Sequence, residues 1–79
     1  MSAEKFSAVM GILVEQIVHL IAENGAYDEV TAANEFYNSK VYALLEQENT
    51  KLWHFSPFTL FNLFITEKKT GTFELPEET

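Results

Sequence analysis

Seven consecutive residues, Leu52 to Phe58 (Leu-Trp-His-Phe-Ser-Pro-Phe), constrain this chain more than any other stretch. They hold its only Trp, and Ser56-Pro57 has the form of an N-cap followed by the first residue of a helix. A Ser hydroxyl accepts a bond from the unpaired N–H groups of a first turn, and Pro there has no N–H to leave unpaired. A Trp and two Phe so close together are a large apolar load, roughly 150–250 Å² per ring, and the rest of the chain is expected to pack around this corner. Trp53, Ser56 and Pro57 are therefore structural anchors, and the corner is not an active site.

With 79 residues there is room for one domain, 1–79, near the size at which a single core is marginal. The chain has no Cys, so neither a disulfide nor a thiolate-bound metal can add stability, and burial of its 47% apolar residues must supply it. Absence of Cys fits a reducing cytoplasm. No uninterrupted apolar run approaches the roughly 18 residues of a membrane span, and the N-terminus lacks a basic-then-apolar leader, so a cytoplasmic protein without a membrane partner is expected. Twelve acidic residues oppose five Lys, with no Arg, for a net charge of -7. Nucleic acid should be repelled, because the basic patch and the Arg that reads guanine are both missing. An acidic surface suits solubility, and more sharply a partner with a basic face.

The expected fold is all-α, a compact small bundle of about four short helices with an extended C-terminal tail. The clearest helix spans 4–23, with Phe6, Val9, Met10, Leu13, Val14, Ile17, Leu20 and Ile21 on one face and Asn24-Gly25 as its stop. Gly11 either weakens this helix or admits a close neighbour. A second helix starts at Asp28 as N-cap, with Tyr27 stapling back on Ala32 and an inner face of Val30, Ala33, Phe36 and Tyr37. Asn38-Ser39 is a break, with Ser39 capping a third helix over 40–47; one bent helix over 29–47 is the alternative. After a polar loop at 48–51, the last helix runs from Pro57 to about Lys69 and stops at Thr70-Gly71. Phe73 and Leu75 tack down an extended tail, order extends over about 4–75, and residues 76–79 are expected to be disordered. The expected core is Leu13, Ile17, Phe36, Leu44, Trp53, Phe58 and Phe61.

The last helix is apolar on two sides, Phe58/Phe61/Ile65 and Leu60/Leu63/Phe64. Phe58 and Phe61 begin beside the Trp corner and are expected to join its core. Leu60, Leu63 and Phe64 are then the exposed side and the candidate partner interface.

The pattern Phe36-Tyr37, Ser39, Tyr42 and Leu45, followed by Thr50, Leu52-Trp53, Ser56-Pro57 and Leu60, resembles a family of short bacterial proteins classed only as a domain of unknown function. The resemblance covers roughly residues 27–70 and includes no catalytic motif. It implies a small helical accessory protein, produced beside a toxin-like or enzyme partner, and carries over no functional residue.

Candidate chemistry is thin. His19 lies four residues from both Glu15 and Glu23, a spacing that could offer ligands to a divalent metal, but zinc sites need three or four protein ligands and H-E-x-x-H is not present. A solvated face with local charge pairing accounts for it better. His54 could act as a general base for Ser56, yet residues so close in sequence rarely aim at each other and Ser56 has a role as a cap. Tyr37 and Tyr42 fit the edge of a core. No phosphate loop, dinucleotide fingerprint or nucleophile elbow is found in the sequence. The expectation is a non-enzymatic protein–protein interaction module, either a homo-oligomer or an antitoxin-like accessory protein, with no cofactor. A small-molecule-binding domain or minor enzyme subunit using the aromatic corner around Trp53 is the alternative, and a DNA-binding regulator is third.

Overall fold

The computed structural model describes residues 2–25 and 27–73. Four α-helices, α1 (Ala3–Gly25), α2 (Glu29–Tyr37), α3 (Lys40–Leu45) and α4 (Pro57–Thr70), are joined between α3 and α4 by two 3₁₀ turns, Glu48–Thr50 and Leu52–His54. The all-α bundle is as expected, and no strand occurs among the described residues.

The helix starts follow local side-chain chemistry. At α1 the Ser2 hydroxyl accepts from the Lys5 N–H at 3.2 Å, and at α2 Asp28 accepts from the Thr31 N–H at 2.9 Å. The bonds from Thr31 hold the Asp28 carboxyl below its ordinary pKa. The chain breaks at Asn38-Ser39 as expected, giving two helices. The buried Ser39 hydroxyl donates to the Phe36 carbonyl at 2.5 Å and accepts from the Tyr42 N–H at 3.1 Å. Ser56 accepts from the Thr59 N–H at 3.2 Å, with Pro57 in the first turn of α4.

Helix α1 runs two residues beyond the expected stop, through Gly25. A left-handed cap closes α4 instead, at Gly71 with φ +82°, whose N–H reaches the Glu67 carbonyl at 2.7 Å. Gly25 serves a different end: a Cβ there would sit 2.8 Å from the Tyr27 ring, so its missing side chain makes room for that ring. By length and composition alone, α1 is long and apolar enough to cross a bilayer, although charged and polar residues interrupt its apolar run. In this fold it supplies Leu13, Val14, Ile17 and Ile21 to the core, while Glu15, Gln16 and His19 are exposed.

Helix α1 packs against both α2 and α4, and α4 also packs against α3. The core comprises Leu13, Val14, Ile17, Ile21, Ala32, Phe36, Val41, Leu45, Leu52, Leu60, Phe61, Leu63 and Phe64. Phe36 lies near its centre, edge-on to Tyr42 at 5.7 Å and to Phe64 at 5.9 Å. Leu44, Trp53 and Phe73 pack against this cluster while half-buried; Leu75 and residues 76–79 lie outside the described residues.

Two faces differ from expectation. On α2 the buried residues are Ala32 and Phe36, whereas Val30 and Tyr37 face solvent. Ala32 is fully buried where α2 packs on its neighbours, a position that ranking residues by apolar bulk overlooks. On α4, Leu60, Phe61, Leu63 and Phe64 are all buried and Phe58 is 62% exposed. At 3.6 residues per turn these four span one arc of about 160°, and Phe58 and Ile65 fall at its margin. The helix needs so broad an inner face because it is flanked by α1 and α3.

Candidate interaction groove

An open groove of about 1070 Å³ lies between α1, α2 and the start of α4. Met10, Val14 and Val18 of α1, Ala33 and Tyr37 of α2, Tyr42 of α3 and Pro57 and Phe58 of α4 give it an apolar lining. Spacings of four along α1 place Met10, Val14 and Val18 in one row. Tyr37 and Tyr42 meet edge-on at 4.8 Å, and burial, with Glu46 nearby, raises the Tyr42 phenol above its ordinary pKa. Phe58 touches the core at one edge, its ring centre 6.2 Å from that of Phe61. Glu15, Gln16, His19, Glu29 and Ser56 supply polar groups.

The residues singled out in the sequence divide around this groove. Leu60, Leu63 and Phe64, expected to be exposed and to meet a partner, are in the core, and the exposed aromatic of α4 is Phe58, expected in the interior. Ser56 and Pro57 do line the groove, at the capped end of α4. Trp53 anchors the chain elsewhere. Its indole N–H donates to the Glu48 carbonyl at 2.9 Å, beside a Thr50 hydroxyl set 2.8 Å from the Leu44 carbonyl at the end of α3. The aromatic corner thus closes a turn, and the concave surface lies on the α1–α2 side of α4.

Neither candidate chemical pair gains support from the geometry. The Ser56 oxygen is held by the Thr59 N–H and lies 3.0 Å from the Thr59 hydroxyl, while His54 Nδ1 meets the Lys51 carbonyl and its ring lies against Phe55. His19 forms an i,i+4 pair with Glu23 at 3.2 Å on an exposed face. Among the described residues no group of three His, Cys, Asp or Glu side chains is arranged to hold a metal.

Sequence reasoning missed the groove because its parts come from four helices separated along the chain. Tyr37 was the available signal: a large aromatic on the polar side of the Ala32/Phe36 stripe, now seen 50% exposed. No protein-family model, curated protein or solved structure matches this chain.

Proposed function

We propose that this protein is a non-enzymatic protein–protein interaction module. The observation that supports this reading is the open groove bearing two half-exposed or more exposed rings, Tyr37 and Phe58. Aromatic side chains clustered around an apolar concavity on so small a domain are the usual composition of an interface centre. The acidic balance argues against a polyanion as the partner, and lack of Cys suits work in the cytoplasm.

A second reading rests on one observation: the groove exceeds the roughly 300 Å³ needed for a small ligand and has Ser56, His19 and two Tyr along it. Its openness suits a peptide or helix better, since small ligands are normally held by enclosure.

The test compares wild type with Tyr37→Ser/Phe58→Ser by sedimentation velocity and by capture from cell extract. Wild type should self-associate or retain a protein partner, and the double variant should lose that behaviour with its helical circular dichroism unchanged. A monomeric wild type that captures no protein ends the reading. Thermal stabilisation by a small metabolite under those conditions would favour the second.

A further inference from the structure

The groove carries a charge pattern as well as an apolar floor. Glu15 of α1 and Glu29 of α2 both line it, and no Lys does. Neither carboxylate is paired with a cation among the described residues. Lys40 and Lys68 are engaged at the other end of α4, where Lys40 Nζ reaches the Gly71 carbonyl at 3.3 Å and Lys68 Nζ reaches Glu35 at 3.0 Å. The groove itself takes in the first turn of α4, whose partial positive charge is capped by the Ser56 hydroxyl, and its full charges are the two carboxylates.

We infer that this groove accepts a cationic amphipathic helix from a different protein, its apolar face on the floor and its Lys or Arg side chains against Glu15 and Glu29. The inference rests on the interaction-module reading and narrows it to one partner chemistry. The row from Met10 to Val18 is about 12 Å long at 1.5 Å per residue, the length of two helical turns, which matches apolar anchors at i, i+3, i+4 and i+7. A second copy of this chain fits less well, because it carries the same net charge of -7 and a two-fold contact would set each groove's carboxylates against their equivalents. Long basic side chains complete such a contact by laying their methylene stems on the apolar floor while their charged ends meet the carboxylates.

The full-length chain should be titrated into a fluorescein-labelled helical peptide of roughly 18 residues, Leu on one face and Lys on the other, followed by anisotropy. Glu15→Gln/Glu29→Gln should weaken binding by about tenfold or more, whereas Glu4→Gln/Glu48→Gln, which removes equal charge outside the groove, should stay within about twofold of wild type. Gly11→Trp should block the groove: Gly11 lines it and nothing lies within 4 Å of its added Cβ, so the variant should keep its helical spectrum and melting transition while losing the peptide. Equal weakening by both charge pairs, or a folded Gly11→Trp that binds normally, would overturn the inference. Preference for a peptide with Glu in place of Lys, or self-association abolished by Gly11→Trp, would also overturn it while leaving the interaction-module reading standing. A chain that binds no peptide of either charge would overturn the inference, and the interaction-module reading falls with it only if the chain also remains monomeric and captures no protein from extract.

Discussion

Ser56 acts through one oxygen, and its role can be separated from catalysis by substitution. That oxygen satisfies the Thr59 N–H at the start of α4, so Ser56→Ala should cost about 1 kcal/mol. Ser56→Asp should be tolerated, because a carboxylate also accepts the N–H and its charge suits the positive end of a helix. Urea denaturation of the three proteins measures this directly; an Asp variant as unstable as the Ala variant would show that the hydroxyl has some other role. Ser56, Ser39 and Asp28 were legible in the sequence because capping is decided within three or four residues. Glycines show where local reasoning stops: Gly71 takes the left-handed turn its position suggests, while Gly25 is needed for the ring of Tyr27, and ring placement cannot be read from the Asn-Gly pair.

At the level of elements, α3 depends on α4. A helix of six residues is far too short to persist alone, since nucleation costs more than so few hydrogen bonds return. Its first three N–H groups are all satisfied, but only that of Tyr42 by the local cap; those of Lys40 and Val41 donate to the Glu67 carboxylate at 3.0 and 3.2 Å. Glu67→Ala should therefore destabilise by about 1–2 kcal/mol, tempered by partial exposure, and hydrogen exchange at Lys40 and Val41 should quicken more than at Leu13 or Ile17. Uniform quickening throughout the chain would mean that Glu67 stabilises the whole fold rather than α3. No pattern in the sequence marks Glu67, which lies 27 and 26 residues from the groups it serves. Helix existence and the break at Asn38-Ser39 were legible because both follow from spacing and caps. The inward face of α2 was not, because Ala32 is buried by how α2 packs on its neighbours rather than by its apolar bulk.

For the whole molecule, the decisive fact is that α4 has neighbours on more than one side. A stripe-and-solvent picture makes its two apolar sides incompatible, yet α1 and α3 together cover the arc from Leu63 through Leu60 and Phe64 to Phe61. Phe58, the second residue of α4, lies past the edge of that cover and becomes part of the groove. The expected consequences of substitution are thereby reversed. Leu63 is 8% exposed, so Leu63→Glu places a carboxylate in the core with no cation provided for it. The resulting loss of several kcal/mol is comparable with the total of about 4–12 kcal/mol available to a domain of this size. That variant should be largely unfolded at neutral pH and regain helix as the carboxyl is protonated, because burial raises its pKa and the neutral form is the cheaper one to enclose. Phe58→Ser, at a site 62% exposed, should remain folded with a melting midpoint within a few degrees of wild type. Circular dichroism melts of both variants at pH 5 and 7 decide the point: a cooperative, native-like Leu63→Glu beside an unfolded Phe58→Ser would show that α4 presents the opposite face to the core.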